Sequence, residues 1–310
     1  MTSIGFLLID GFALMSYSSV IEPLRAANLL SEKKLYKIIN FSLNQTAKSS
    51  SDTIIDTQLI GSEKDKLDMV IVCAGGDPFL FNNIKVFDWL RKKSREGVIL
   101  VGVSGGPVIL VKAGLMDGKR MTLHWEHADT FREIWPNVLL EKSLFVIDRK
   151  RITCAGGIAP LDLMFALISN HHGESFARKV SDWFMHTEVR PSGGPQRSGI
   201  VERYNVNNSK IVSAIEIMEN NLSNTLSLKE ISEIVDISPR QLNRLFKKNL
   251  NKTTMDVYRK LRLELAQKLL KQSQFSITEI AFSCGFSSSS QFSQSFKEKF
   301  GVMPSQYKIL

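Results

Sequence analysis

The chain has 310 residues, of which 43% are hydrophobic and 23% charged, a composition typical of a soluble globular protein long enough for two domains. Three scattered cysteines without a C-x-x-C pair exclude the usual zinc motifs, and no apolar run is long enough for a membrane span. Residues 201–310 contribute +6 of the net charge of +9, which favours an anionic partner for this part but also fits a generally basic protein.

The N-terminus opens with the apolar run IGFLLI, has no basic leader and meets Asp10 early, so we do not expect a secretory signal. Cys73, Cys154 and Cys284 are expected to be buried thiols of a reducing compartment. The sequence therefore indicates a cytoplasmic protein without a membrane partner.

Short apolar runs alternate with helical patterns through the first 187 residues. Strands are predicted at residues 4–9, 36–43, 69–74, 98–103, 144–147 and 151–154. Helices are predicted at residues 17–30, 79–95, 127–134, 161–169 and 174–186, with a short one ending at Ala113, while residues 49–56 are ambiguous. This alternation predicts a mostly parallel sheet covered on both faces, with ligands bound beyond the carboxyl ends of its strands.

Small and acidic residues follow three of these strands, as Asp10-Gly11, Gly75-Gly76-Asp77 and Ser104-Gly105-Gly106. Residues 102–106 spell G-x-S-x-G, the pattern of a sharp strand-to-helix turn that lifts its central side chain toward solvent. The pentapeptide is short, but its position between a buried strand and a helix strengthens the prediction of such an elbow at Ser104.

The first part of the chain resembles the ThiJ/PfpI-like, class I glutamine amidotransferase-like proteins from about Ile4 to Met185. The resemblance rests on GFLLIDGF, EPLRAAN, CAGGDP, GVSGGPVILVKAGLMDGKRMTLHW and TCAGGIAPLDLM. It implies an α/β, flavodoxin-like parallel sheet sandwich. The segments EPLRAAN and TCAGGIAPLDLM are similar to those of family members that sense arginine, carnitine or glycine betaine. This resemblance implies a small nitrogen-containing effector.

In enzymes of this fold the elbow residue is Cys with an acidic neighbour and often His, whereas here it is Ser104. Glu22 could be the acidic neighbour, and His124 matches the family's T-x-H-W position. A serine hydroxyl needs a base, and the only acidic residue between Ser104 and His124 is Asp117, in a predicted turn. We therefore expect no catalytic residue, no enzyme activity, no cofactor and no metal.

Three interpretations of the elbow remain: a nucleophile with His124 as base, the floor of an effector pocket, or a structural turn. The second is favoured, with the Ser104 hydroxyl and following amides binding the effector.

Glu22 could face a cationic effector or Ser104, or pair with Arg25. Aromatic rings at Phe12, Phe79 and Trp125 would suit a quaternary ammonium, although most such rings are core. The predicted ligand-binding residues are Glu22, Gly76, Asp77, Ser104, Gly105, Gly106, His124 and Trp125.

Residues 188–208 are rich in Gly, Pro, Ser and Asn and are predicted to link the domain of residues 1–187 to that of 209–310, although PQR within them also resembles the family. After them a helix-turn-helix pattern occurs twice. Ser227 with Glu230, and Ser276 with Glu279, each have the spacing of a capping box. The offset between the copies is 49 residues before the turn and 50 after it, so the second copy has one extra turn residue.

A continuous helical pattern at residues 254–271 joins the copies, and from about Ser209 the chain resembles the AraC/XylS transcription regulators. The resemblance rests on RLELAQKLL and ITEIAFSCGFSSSSQFSQSFKEKFGVMPSQY, and Thr254 departs from the Pro that the family often has. It implies an all-α double helix-turn-helix domain whose two recognition helices enter the major groove.

The predicted DNA contacts lie on the two recognition helices, on the faces opposite the apolar residues. Arg240, Asn243 and Arg244 can read bases and Lys247 can hold a phosphate, while the uncharged side chains of the second helix predict weaker base readout. The full set is Arg240, Gln241, Asn243, Arg244 and Lys247, with Ser289, Ser290, Ser293, Gln294 and Lys297.

Taken together, the sequence indicates a transcription regulator that binds promoter DNA, is controlled by a small-molecule effector and works as a homodimer. The alternative is an amidotransferase-like hydrolase that uses Ser104 and carries a DNA-targeting module. A third possibility is an architectural DNA-binding protein without an effector.

Overall fold

The computed structural model describes residues 1–309, which divide into two compact units. The first comprises residues 1–128 and 135–196, and the second comprises residues 129–134 with the chain from Arg197 onward. No helix within residues 1–309 combines the length and the apolar character that crossing a membrane requires.

The first unit is built on a seven-stranded sheet in the order β10-β11-β7-β6-β1-β2-β5. All neighbouring strands are parallel except the pair β10 and β11. The five central strands have the order 2-1-3-4-5, which confirms the predicted flavodoxin-like sheet. The strands are β1 Thr2–Leu8, β2 Tyr36–Ser42, β3 Thr46–Lys48, β4 Ile54–Asp56, β5 Gln58–Leu59, β6 Met69–Ala74, β7 Ile99–Ser104, β8 Arg120–Met121, β9 Leu139–Leu140, β10 Phe145–Asp148 and β11 Arg151–Cys154.

Helices cover both faces of the sheet, as predicted. One face packs on α1, α5 and α6 through a core that includes Ile4, Phe6 and Leu8, and the other packs on α2 and α3. The helices are α1 Leu14–Leu30, α2 Ile84–Arg95, α3 Gly106–Lys112, α4 Trp125–Ile134, α5 Ala159–His172 and α6 Glu174–Trp183.

One local prediction needed correction, and the structure assigns one segment that the sequence left open. The helix predicted from Phe79 begins only at Ile84, because Asn83 caps it by accepting a hydrogen bond from the Val86 N–H. Before this helix the chain turns at Asp77, whose side chain accepts a hydrogen bond from the Phe79 N–H. The ambiguous residues 49–56 contribute to a hairpin in which β3 pairs with β4 antiparallel.

The second unit is helical. Its helices are α7 Ile200–Tyr204, α8 Ser209–Asn220, α9 Leu228–Ile234, α10 Pro239–Leu250, α11 Thr254–Gln272, α12 Ile277–Ser283, α13 Ser289–Phe300 and α14 Pro304–Ile309. The predicted connecting helix is α11, one residue longer than expected. Two separate apolar cores form, one around α8 to α10 and one around α12 and α13, and α11 contributes to both.

The internal repeat is confirmed in the backbone. Both predicted capping boxes form, and each first helix is followed by a left-handed residue, Asp236 with φ 54° and Gly285 with φ 69°. The extra residue of the second copy is Ser287, since Ser238 and Ser288 occupy the equivalent N-caps.

The repeat extends beyond the residues that the sequence pattern identified. Both recognition helices end at a left-handed residue, Asn251 and Gly301. The following turns are also equivalent, because Asp256 accepts the Thr253 N–H and Gln306 accepts the Met303 N–H. The beginning of α14 is therefore the counterpart of the beginning of α11.

Candidate functional site

The three glycine-containing strand ends meet at the carboxyl edge of the sheet. Ala74 is in register with Ser104, and the Gly105 N–H donates to the Ala74 carbonyl at 3.0 Å. Gly75 packs so closely on the loop after β1 that an added Cβ would lie 2.5 Å from the Gly11 carbonyl oxygen. The residues at the ends of β1, β6 and β7 thus form one surface, although the Gly105 amide is already used within it.

Ser104 occupies a strained elbow, as its sequence context predicted. Its φ is +59°, in the left-handed region that costs a residue with a side chain about 1–2 kcal/mol. The turn is tight because α3 begins against β6: a Cβ on Gly106 would lie 2.1 Å from the Val72 carbonyl oxygen. The backbone therefore holds the Ser104 side chain, which is half-exposed, at the end of β7.

Ser16, which the sequence analysis did not identify, is a polar side chain beside the elbow. Its buried hydroxyl accepts a hydrogen bond from the Gly157 N–H at 2.8 Å. The neighbouring Gly156 packs between Ser104 and Ser16. A Cβ added to this glycine would lie 2.9 Å from Ser104 Cα and 3.1 Å from Ser16 Oγ. Glu22 instead pairs with Arg25 at 2.7 Å on the partly exposed side of α1, which is one of the alternatives considered above.

The groups around Ser104 bear on whether its hydroxyl could act as a nucleophile. Within residues 1–309 that hydroxyl makes no hydrogen bond to a protein base. Burial raises the pKa of the nearby Cys73 thiol and raises that of Cys154 to about 12, which disfavours the thiolate form of both. The Ser104 hydroxyl can therefore donate or accept a hydrogen bond at this strand end.

The loop after β6 is charged and partly buried. Burial raises the pKa of the Asp77 carboxyl. Burial also lowers the pKa of the Lys112 ammonium, although the nearby Asp77 charge tends to raise it. The Lys112 ammonium donates to the Phe79 carbonyl at 2.6 Å. The Phe79 ring lies 5.5 Å from His127 and stacks at 6.0 Å on Trp135. This loop is thus fixed from two sides.

The predicted aromatic wall is not formed as expected. Phe12 and Phe79 are buried core residues, whereas Trp125 opens α4 with its ring 5.4 Å from that of His124. His124 also accepts a hydrogen bond from the Glu126 N–H through Nδ1 at 3.3 Å. Of the predicted aromatics, only Trp125 remains a candidate for contact with a ligand.

A surface pocket of about 260 Å³ lies where β1 and β6 end and their connections leave in opposite directions. This is the position at which doubly wound sheets bind ligands. Two carboxylates, Asp10 and Asp77, line it among apolar groups. Asp77 is the predicted ligand residue that lines this pocket, while Ser104 lies one strand away at the end of β7.

The segment predicted as a linker is bound rather than extended. Asp162, whose side chain is fully buried, accepts hydrogen bonds from His186 and Arg190. Gln196 then donates to the Thr122 hydroxyl and to the carbonyls of Leu123 and Ser143. From Arg197, which pairs with Glu219, the chain belongs to the second unit. The domain limits proposed from the sequence remain a prediction.

On α10, three of the five predicted DNA contacts are exposed cations: Arg240, Arg244 and Lys247. The other two are used internally. Gln241 completes a capping box by accepting from Ser238, and Asn243 Oδ1 accepts a hydrogen bond from the Thr254 N–H at 3.0 Å. Of the predicted base-reading residues on this helix, the two arginines are exposed and Asn243 is engaged in a contact within the protein.

The corresponding surface of α13 carries short, mostly uncharged side chains. Ser290, Gln294 and Lys297 are exposed, and Ser289 and Ser293 are half-buried. The Gln294 amide donates to Glu298 at 2.8 Å. This helix offers fewer groups for reading bases than α10 does.

The two helix-turn-helix units are fixed to each other by buried contacts within the second unit. The Tyr258 hydroxyl donates to the Asn221 carbonyl and accepts the Leu226 N–H. Arg262 donates to the carbonyls of Cys284 and Gly285, each at 2.7 Å. The loop between α8 and α9 and the turn between α12 and α13 are therefore both held by α11.

Comparisons with known proteins agree with both parts of this description. The sequence profile of the DJ-1/PfpI family matches residues 2–170, and that of a helix-turn-helix domain matches residues 231–308. The chain is 41% identical over 303 residues to the HTH-type transcriptional regulator GlxA of Rhizobium meliloti, covering 97% of this chain and 94% of that protein. It is 39% identical to the HTH-type transcriptional regulator CdhR of Pseudomonas aeruginosa, covering 97% and 90%.

Solved structures share the fold. An AraC family transcriptional regulator from Pseudomonas putida matches with a TM-score of 0.54 and 23% identity, over 59% of this chain and all of that one. A THiJ/PfpI family protein from Pseudomonas syringae matches with a TM-score of 0.54 and 17% identity, over 76% and 89% of the two chains.

Proposed function

The chain belongs to the DJ-1/PfpI family and ends in an AraC-type helix-turn-helix domain, and on that premise we propose that it regulates transcription by binding promoter DNA under the control of a small nitrogen-containing metabolite. The DNA-binding part is supported by the shared family and by relatives named as transcriptional regulators over nearly the whole chain. We further propose that the protein acts in the cytoplasm as a homodimer.

The observation that carries the proposal is the pair of recognition helices mounted on one rigid helix. The nineteen residues of α11 span about 28 Å at 1.5 Å per residue, and successive major-groove faces on one side of B-DNA lie about 34 Å apart. The contacts of Tyr258 and Arg262 hold the two units at a fixed separation. A rigid spacer of this length suits two helices that enter neighbouring major grooves.

We place the effector at the carboxyl edge of the first unit's sheet. A pocket at the switch point between β1 and β6, with Asp10 and Asp77 among its lining residues, suits a ligand that carries positive charge. The Ser104 hydroxyl at the neighbouring strand end supplies an additional hydrogen-bonding group. The elbow is thus proposed as part of a binding surface, and we propose no catalytic step for Ser104.

Thermal unfolding of the full chain against amino acids, quaternary amines and related metabolites tests this assignment. A ligand at one hundred times its Kd adds about 2.7 kcal/mol to the folded state, so a concentration-dependent rise in Tm is expected for one chemical class. Ser104→Gly removes the hydroxyl in a residue that accepts the positive φ, so it should weaken this rise without unfolding the domain. Glu174→Gln, in an exposed ion pair with Arg178 on α6, is the control. An undiminished rise in Ser104→Gly would place the ligand away from the elbow, and no rise with any compound would favour a protein without an effector.

Arg244→Ala is expected to weaken binding to the specific site by about 1–3 kcal/mol and to relax the preference at one base pair, because an arginine fork can bind guanine. Arg244→Lys keeps the charge but lacks the fork, so it should lose the base preference while retaining more of the nonspecific affinity. Fluorescence anisotropy with specific and random duplexes measures both quantities and the expected stoichiometry of two chains per site. Equal losses on the two duplexes would contradict base reading by Arg244.

A further inference from the structure

A hydrogen bond between the first recognition helix and the connecting helix distinguishes one helix-turn-helix unit from the other. Asn243 lies one turn from both Arg240 and Lys247, within the surface that the proposed function directs at DNA. Its Oδ1 accepts the N–H of Thr254, the first residue of α11, at 3.0 Å. Thr254 is completely buried, so the acceptor that adenine recognition requires is held against the protein.

The internal repeat supplies a comparison within the same chain. The counterparts of Asn243 and Thr254, fifty residues later, are Ser293 and Pro304. Proline has no N–H, so the second unit cannot form the equivalent bond. The backbones around the two positions are nevertheless alike, because Asn251 and Gly301 end their helices in the same left-handed conformation. The bond in the first unit thus depends on a non-proline residue at 254 together with a short carboxamide at 243.

We infer that Asn243 is a positioning residue that fixes α10 to α11, and that the Thr254 N–H keeps its carboxamide from reading a base. The inference rests on the proposed DNA-binding function. It assigns base recognition by the first unit to Arg240 and Arg244, and it makes residue 254, which touches no DNA, a determinant of sequence specificity.

The backbone before position 254 has the conformation that proline requires. Thr253, the N-cap of α11, has φ −74° and ψ 161°, and Ser238, which precedes Pro239 at the start of α10, has φ −72° and ψ 153°. This extended backbone is the one that a residue before proline adopts, and proline is favoured at the first position of a helix. Thr254→Pro therefore removes one N–H, and its ring displaces the Asn243 carboxamide from the helix start.

The experiment compares the binding-site preferences of four full-length proteins: the natural chain, Asn243→Ala, Thr254→Pro and the double variant. Selection from a randomised duplex library gives the preference at every base pair, and thermal unfolding confirms that each protein is folded. Thr254→Pro is expected to gain a preference for adenine of about tenfold at one base pair next to those read by Arg240 and Arg244. The double variant should lose that preference.

Asn243→Ala in the natural background separates positioning from base reading. A positioning role predicts weaker affinity for all sequences with an unchanged preference at each base pair. A relaxed preference at one base pair in Asn243→Ala, or no new preference in folded Thr254→Pro, would overturn the inference. If the natural chain itself selects no sequence, the proposed function fails instead, so the two failures are distinguishable.

Discussion

Alanine in place of Gly285 is expected to destabilise the second helix-turn-helix unit by about 3 kcal/mol. Gly285 has a φ of +69°, which costs an alanine about 1–2 kcal/mol, and its new Cβ would lie 2.3 Å from Thr225 Cγ2 and 2.9 Å from the Leu222 carbonyl oxygen. Relief of such overlap in a packed interior costs typically about 1–3 kcal/mol more. The turn cannot move away freely, because Arg262 binds its carbonyls.

Gly301→Ala provides the matched control, since Gly301 has a similar φ of +80° but no atom within 4 Å of an added Cβ. It should show the conformational cost alone, about 1–2 kcal/mol. Urea unfolding measures the difference with two probes. Far-ultraviolet circular dichroism reports all helices, whereas the four tryptophans all lie in residues 1–187, so their fluorescence reports that part of the chain. Equal losses in the two variants would show that contact with Thr225 is unimportant.

The architecture of the DNA-binding part was predictable because its signals are local. Capping boxes at Ser227 and Ser276, and a cap before Pro239, involve residues within one turn of each other. Their physical effect therefore depends little on the rest of the fold. The alternation of buried apolar strands with helices likewise predicted a mostly parallel sheet covered on both faces, whereas its flavodoxin-like order was implied by the family resemblance.

The composition of the candidate sites was less predictable, because it depends on contacts between distant residues. Ser16 and Ser104 are brought together by Gly156, which lies 140 positions after Ser16. The sequence analysis therefore considered Glu22, rather than Ser16, as the polar neighbour of Ser104. The available signal was a serine in the first turn of the helix that follows β1, on its buried face. Asn243 was predicted to read adenine, and the hydrogen bond that its Oδ1 accepts from the Thr254 N–H joins residues eleven positions apart, which no local pattern indicates.

The glycines next to the elbow are a second case in which the role of a residue depends on a group distant in sequence. The motif G-x-S-x-G predicted a turn from residue types alone, and the φ of Ser104 confirms it. The sequence did not show why residue 106 is glycine, since the Val72 carbonyl that excludes a side chain there lies 34 residues earlier, in β6. A local pattern can thus indicate a conformation without revealing which distant group requires it.

Asp162→Ala is expected to destabilise the first unit by about 3–5 kcal/mol, because it removes the partner of two basic groups from a buried site. The Asp162 side chain is completely buried in α5, and its oxygens accept from His186 Nε2, from the Arg190 backbone N–H and from the Arg190 guanidinium. Asp162→Asn keeps one acceptor and should lose less. Glu22→Ala breaks an ion pair of similar length whose side chains are 40% and 50% exposed, so it should cost less than about 1 kcal/mol.

The same substitution separates the stability of the first unit from the attachment of the chain that leaves it. Arg190 precedes Gln196, whose amide holds the last residues of the unit to Thr122, Leu123 and Ser143. Loss of the Asp162 contacts should therefore expose residues 186–196 to proteinase K under native conditions, before the sheet unfolds. Tryptophan fluorescence during urea unfolding gives the stability, and the mass of the first proteolytic fragments gives the site of cleavage. If cleavage and unfolding occur together, Gln196 alone is sufficient to hold the segment, and Asp162 acts only through the core of the unit.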